Sequence, residues 1–166
     1  MKIIRISPCL WFADQAEDAA NFYTSIFKDS RIVHITRYGA AGFEVHHRPA
    51  GSVMTVDFEL NGVRFTALNG GPVFTFNPAV SFQIICKTQN EIDYYWEKLG
   101  AGGDPRAQQC GWVQDKFGLS WQVNPEGMDE MMKDPASEAA SRAMTAMLKM
   151  KKLDIKELER AYAGKS

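Results

Sequence analysis

The chain is poor in the residues that usually announce a metal or redox centre: three cysteines, three histidines and seven prolines in 166 residues. Cys9, Cys86 and Cys110 are too far apart for a zinc knuckle or a C-x-x-C pair, and three cannot all pair within one chain. A disulfide-stapled framework is therefore excluded and reducing surroundings fit better. Their apolar neighbours favour small buried hydrophobes; a reactive thiol is the competing reading. No apolar run approaches the roughly 20 residues that span a bilayer. The opening Met-Lys-Ile-Ile-Arg-Ile-Ser has no long apolar core and no small-residue cleavage site, so no secretory leader is expected and the cytoplasm is the default location. Charge of one sign is also missing. Nineteen Lys and Arg stand against 20 Asp and Glu, a net charge of −1. Neither nucleic acid nor an anionic membrane is expected as a partner. What remains, 45% hydrophobic and 23% charged, is the composition of a soluble globular protein.

The most informative pattern occurs twice. Ile6–Phe12 is a short β-prone run, followed by Asp14 and Glu17 at capping-box spacing. Ala16, Ala19, Ala20, Tyr23, Ile26 and Phe27 then recur at helical spacing. The second copy runs from Val80 to Cys86, with Thr88 and Glu91 as the capping box and Ile92, Tyr95, Trp96 and Leu99 as the apolar face. Gly100 is placed to stop that helix. Strand-like runs follow each helix. In the first copy these are 31–38, 52–60 and 63–69, with Asn61-Gly62 as a two-residue hairpin turn. In the second they are a short stretch near Ala107, then 110–115 and 119–124, turned by Lys116-Phe117-Gly118. Each half reads as βαβββ. Two such halves, joined edge to edge, give a curved, cup-shaped mixed sheet with helices outside, an α+β fold. The expected organisation is one domain over 3–125, with modules about 3–72 and 78–125, and a helical extension over 126–166.

In that extension Asp134-Pro135 predicts a helix start with Pro at the first helical position. Met144, Met147 and Leu148 form an apolar stripe, and Lys149, Lys151 and Lys152 complement the helix dipole at its end. Asp154 and Glu157 make a third capping box, with Leu153 and Leu158 as a hydrophobic staple. The Met-rich face is expected to pack on the sheet or on a neighbouring subunit. That face and the open β-edges predict a homodimer.

Pro8-Cys9-Leu10-Trp11-Phe12, Ala-Ala-Asn-Phe-Tyr at 19–23, Leu68-Asn69-Gly70-Gly71-Pro72, Cys110-Gly111-Trp112 and the run Asp115–Val123 resemble the vicinal oxygen chelate superfamily, which includes glyoxalase I, extradiol dioxygenases and bleomycin- and fosfomycin-resistance proteins. The resemblance is strongest to its PhnB-like branch, also called demethylubiquinone methyltransferase-like, whose tail Lys151-Lys152-Leu153-Asp154 matches. It implies a cup in which catalytic members hold a divalent metal on His, Glu or Gln. It places Pro8 and Ser81, or Phe82 after a one-residue slip, at the first-strand positions. Gln122 takes the last-strand position of the second half, and Ala67 or Asn69 that of the first.

Proline offers a metal no donor atom, and Ser, Ala and Asn are poor replacements for imidazole or carboxylate. No metal and no cofactor are expected. No glycine-rich strand–helix turn of the kind that holds a nucleotide-like methyl donor is present. Glu44 and His46 share a face if their segment is extended and, with a partner subunit, offer a second route to a metal; a solvated loop is the plainer reading. His34 reads as a half-exposed strand residue. Strand alternation instead puts Ser81 and Gln83 on one face and Gln122 on a matching face. With Asn69 and Trp112 they are the candidate ligand-binding residues, for a small organic molecule held by neutral hydrogen bonds. The opposing reading is that Gln83 and Gln122 only bond each other. A metal-dependent lyase, dioxygenase or transferase, and a dimeric interaction protein with a vestigial cup, are the alternatives.

Overall fold

The computed structural model describes residues 3–165. Met1, Lys2 and Ser166, and so the first two residues of the opening stretch read for a leader, lie outside them. The chain divides into two compact units, one up to Phe76 and one from Asn77 onward. Residues 126–165 pack within the second unit.

In the first unit β1 (Cys9–Phe12), β2 (Arg31–Arg37), β3 (Val53–Leu60) and β4 (Val63–Asn69) form a sheet in the order β1-β4-β3-β2. β1 runs parallel to β4 and the other pairs are antiparallel. Helix α1 (Ala16–Ile26) covers one face, burying Ala16, Ala19, Ala20, Tyr23 and Ile26. Its three alanines present no bulk, so the helix lies close to Val56, Phe58, Phe65 and Ala67, which are also buried. Tyr23 and Phe65 each stack on Phe58, at 6.0 and 5.3 Å between ring centres. Asn61 and Gly62 both take positive φ, 46° and 80°, the left-handed pair that a two-residue hairpin requires. The loop over 39–51 holds a short helix, α2 (Phe43–His46).

The expected capping box of α1 is not made. Gln15 is the N-cap and its side chain makes no capping bond. Asn69 Oδ1, from the end of β4, accepts from Ala16 N at 2.8 Å. A residue 53 positions away thus satisfies the helix start, a partner that local spacing does not reveal.

The second unit opens with β5 (Ser81–Cys86) and α3 (Gln89–Gly100). Here the capping box is complete: Thr88 Oγ1 accepts from Glu91 N and Glu91 Oε2 accepts from Thr88 N. Three strands follow the order β5-β7-β6, with β6 at Trp112–Gln114 and β7 at Ser120–Pro125. The fourth strand expected near Ala107 is a 3₁₀ turn, Pro105–Ala107. Pro105 lacks the N–H a ladder needs, and Asp104 Oδ1 accepts from Arg106 N at 2.9 Å, which closes the turn locally.

The tail contains α4 (Met128–Met131), α5 (Glu138–Met147) and α6 (Ile155–Tyr162). Helix α5 starts three residues later than Asp134-Pro135 suggested, capped by Ser137 Oγ; Asp134 instead closes a turn through Ala136 N at 3.0 Å. Leu153 and Leu158 are buried with Met150, and Met128, Met131 and Met147 pack on them. Met144 and Leu148 stay exposed. Cys110 and Gly111 both have positive φ, 50° and 83°. Their consecutive N–H groups therefore turn toward the tail and donate to Met150 O and Lys151 O at 2.9 and 2.8 Å. Gln89 completes the strap, donating to Leu153 O and accepting from Ile155 N.

Lys152 lies beyond α5 and pairs with Asp93 of α3 at 2.5 Å. Hydrogen bonds from Lys152 and Gln89 lower the Asp93 pKa. A depressed carboxylate stabilises the fold above its unfolded pKa and loses that contribution as pH falls through the folded value. Both side chains are 37% exposed, so Asp93→Asn is expected to cost at most about 1 kcal/mol at pH 7. In urea titrations the difference from the parent should disappear once pH passes below the ordinary aspartate range and then below the lowered value. A difference unchanged at low pH would refute the pairing. Among the described residues no helix is long and apolar enough to cross a membrane.

Candidate ligand-binding face

Strand register fixes which side chains share a face. In the second sheet Gln83 stands opposite Gln122, and Gln122 opposite Trp112. Ser81, Gln83 and Ile85 of β5, Gln122 and Asn124 of β7, and Trp112 and Gln114 of β6 therefore point one way. Ile84, Cys86, Val113, Trp121 and Val123 point the other, where α3 lies. The apolar set is the core side: Cys86, Val113, Trp121 and Val123 are buried. The polar face is open: Gln83 and Ile85 are exposed, and Ser81, Trp112 and Gln122 are half-buried. Gln122 Nε2 donates to Ser81 Oγ at 2.8 Å, and Gln83 Nε2 donates to Gln122 Oε1 at 3.4 Å. The first is a good bond. The second is at the limit of one.

The β6–β7 turn that sets this register is built on Asp115, which is 1% exposed. Its Oδ1 accepts from Phe117 N and Leu119 N, and its Oδ2 from Trp121 Nε1 at 2.8 Å. A carboxylate in the sharp turn thus anchors the indole beneath the polar row.

Ser81, Gln83, Gln122 and Trp112, all expected to meet the ligand, fall on this one face. Asn69 does not. It is 6% exposed on the helix side of the first sheet. Its Oδ1 caps α1, its Nδ2 donates to Val53 O, and its carbonyl accepts from Tyr38 Oη. Each polar group already has a protein partner, so Asn69 is a structural residue.

Alternation in the two units matches when Phe12 is paired with Cys86 and Asn69 with Pro125, the last registered pairs of the two parallel ladders. Cys9 then corresponds to Gln83, Thr66 to Gln122 and Asp57 to Trp112. This corrects the first-unit positions. Pro8 precedes β1, its carbonyl accepting from Thr66 N, and Ala67 is buried on the helix side. The spacing of 74 residues between Asp14 and Thr88 carried the right signal: continued back into the strand, it pairs Cys9 with Gln83 and Pro8 with Phe82, the one-residue slip from Ser81.

The donors at these positions do not fit a divalent cation. Burial and then Asp57 raise the Cys9 pKa, which favours the thiol over the ligating thiolate. Thr66 Oγ1 donates to Asp57 Oδ1 at 2.6 Å, and Gln83 and Gln122 offer only amide oxygens. Asp57 and Glu59 are engaged by Arg64, and Glu59 also by Arg31 at 2.7 Å. Among the described residues no three His, Cys, Asp or Glu side chains converge where they could hold one ion. The other two cysteines differ from each other. Cys86 is buried, and burial with Glu91 nearby pushes its thiol up to about 11; Cys110 is partly exposed. Cys9 is exposed, against the expectation that all three are core residues.

Glu44 and His46 lie in a helical turn, not an extended segment, and so do not share a face. The His46 ring lies 4.5 Å from that of Tyr38. Its Nδ1 accepts from Arg48 N, and its Nε2 meets Ala41 O. His34 stands exposed in β2. A separate cleft of about 310 Å³ in the first unit gathers Asp14, Glu17, Asp18 and Arg48; the guanidinium donates to Ala13 O.

Residues 4–124 match the family model of 3-demethylubiquinone-9 3-methyltransferase. A Bacillus cereus PhnB protein, titled a candidate 3-demethylubiquinone-9 3-methyltransferase, is 37% identical, with a TM-score of 0.61 over 73% of this chain and 98% of that one. At 19% identity, protein PA1353 of Pseudomonas aeruginosa shares the fold with a TM-score of 0.56 over 75% of this chain and 98% of its own. The fosfomycin resistance protein FosX of Mesorhizobium loti does so at 14% identity and a TM-score of 0.54, over 81% of this chain and 100% of its own. No curated protein matches the chain. With the βαβββ first unit, the family match and the PhnB identity in agreement, this chain belongs to the PhnB-like 3-demethylubiquinone-9 3-methyltransferase family of the vicinal oxygen chelate superfamily.

Proposed function

We propose that the protein binds a small organic molecule on the open face of its second sheet, through Ser81, Gln83, Gln122 and Trp112, without a resident metal. The observation that carries this is the half-exposed amide row, bonded at 2.8 and 3.4 Å, on a sheet whose reverse side already forms the core. A face kept for stability alone has no need of adjacent carboxamides beside a half-exposed indole, because polar groups contribute little there against water. The metal-dependent lyase, dioxygenase or transferase reading lacks its ligand set, since thiol, hydroxyl and two carboxamides occupy the matched positions.

Two measurements test this. Elemental analysis of the purified full chain should find well under one transition-metal ion per chain. About one tightly bound ion per chain would overturn the metal-free reading. Thermal-shift screening against a panel of small metabolites should find a stabilising compound whose effect Gln122→Ala abolishes. A Gln122→Ala protein stabilised as strongly as the parent would remove this face from the site.

The protein is also proposed to self-associate. Ile3, Ile4 and Ile6 are 71–102% exposed, and among the described residues β2 and β6 are sheet edges with no strand beyond them. Light scattering at micromolar concentration should give twice the chain mass of 18.6 kDa; a monomer would refute it.

A further inference from the structure

Every side chain that β5, β6 and β7 place on this face is uncharged: Ser81, Gln83, Ile85, Trp112, Gln114, Gln122, Asn124 and the buried Ser120. Two cations flank the face along the chain: Lys87, two residues past Ile85, and Lys116 in the β6–β7 turn, whose Nζ lies over the Phe117 ring, 5.1 Å from the centre. A charged group laid on the Gln83–Gln122–Trp112 row would lose hydration and meet neutral dipoles there, with no counter-charge within the row to offset the loss.

The row nonetheless has directional capacity. Ser81 Oγ accepts from Gln122, which leaves its O–H free to donate. Gln83 uses one N–H in the 3.4 Å bond and keeps its Oε1 as an acceptor. The indole Nε1–H of Trp112 has no partner among the described residues. Donor and acceptor thus stand side by side, next to an indole and, further along β5, to Ile85. Adjacent strands lie about 4.8 Å apart, so the row from Gln83 to Trp112 spans about 10 Å. That matches one planar group of a small molecule.

We infer that the ligand of this face is an uncharged molecule with an amide-like donor–acceptor edge joined to a flat apolar portion. The edge opens the long Gln83–Gln122 bond and takes its place, while the flat portion lies against Trp112. This rests on the ligand-binding reading above and adds the chemical class. The carboxamide suits the task because its C=O and N–H present an acceptor and a donor in one plane, as a primary amide ligand does. The weak bond is the one whose loss costs least when a ligand inserts.

Three probes of nearly equal shape separate the possibilities: neutral benzamide, anionic benzoate and cationic benzamidine. Each is titrated into the ¹⁵N-labelled full chain, following the side-chain amides of Gln83 and Gln122 and the indole N–H of Trp112. Benzamide is expected to move these three signals and to bind at least about 10-fold more tightly than either ion, a difference of ~1.4 kcal/mol. Gln83→Glu should reverse the order in favour of benzamidine. Gln83→Met, which keeps the shape and removes the hydrogen bonds, should erase the discrimination; a native spectrum of each variant shows that it is folded. If benzoate or benzamidine moves the same signals with equal or greater affinity in the parent chain, the neutral-ligand inference falls while the binding face stands. If none of the probes moves them, the binding face falls too.

Discussion

Replacing Asp115 with alanine is expected to destabilise the protein by about 3–4 kcal/mol, the largest single loss at any polar position in the second unit. Three N–H donors converge on this carboxylate, from Phe117, Leu119 and Trp121, and the side chain is 1% exposed. Truncation leaves buried donors unpaired, and each then bears its desolvation cost. Asp115→Asn is nearly isosteric but fails for a different reason. One of its two ends is an NH₂ group, so either the Trp121 indole or the two backbone amides must face a donor. Asparagine should therefore lose about 2–3 kcal/mol rather than restore the turn. Urea denaturation should show a lower midpoint with unchanged slope, and a melting temperature lower by roughly 10 °C for alanine. A loss below about 1 kcal/mol would show that the turn is held by backbone preference and not by this carboxylate.

The second large effect is expected at a glycine. A Cβ on Gly103 would lie 1.8 Å from Gln114 O and 2.8 Å from Gln114 C. These are backbone atoms at the end of β6, so relief requires the strand to move rather than a side chain to rotate. Gly103→Ala is expected to cost about 3 kcal/mol or more, in the range of severe overpacking. The neighbouring Gly102 is the control. Its φ is +79° and its added Cβ would press on Lys116 Cβ at 3.3 Å, a side-chain atom that can give by a few tenths of an ångström, so Gly102→Ala should cost about 1–2 kcal/mol, chiefly for backbone conformation. Thermal melts of the two variants separate the effects. If Gly103→Ala melts no lower than Gly102→Ala, the close approach of the 3₁₀ connection to β6 is wrong.

These two sites show where sequence reading stops. The alternation in 119–124 and the turn at 116–118 locate β7 and its hairpin because a two-residue period and a turn glycine are local properties. That Asp115 also holds the Trp121 indole follows from the closed turn. Similarly, Thr88 and Glu91 form the capping box their spacing implies, whereas Asp14 and Glu17 do not. The motif is the same in both copies. The difference is Asn69, delivered to the start of α1 by the parallel pairing of β1 with β4. That same delivery ties both ends of the Asn69 carboxamide to backbone partners.

The candidate face was partly legible. Alternation put Ser81, Gln83 and Gln122 on polar faces of their own strands, and Trp112 joined them as a candidate aromatic wall. Cys9 and Thr66 were missed as the first-unit counterparts because strand-to-strand register is a relation between distant segments. A one-residue shift turns a side chain from one face to the other. The tail shows the same limit, since its leucine staple was visible in the sequence but its attachment to Cys110, Gly111 and Gln89 was not.

By itself, then, the sequence determined the duplicated strand–helix pattern, most strands of each copy and the scarcity of metal donors, all set by periodicity and side-chain chemistry within a few residues of chain. Tertiary structure decided which strands pair and in what register, which polar side chains are occupied by caps and turns, and which remain on an open face. Those outcomes depend on backbone hydrogen bonds between segments tens of residues apart, and their geometry is settled only when the sheet and its covering helix close on a common core.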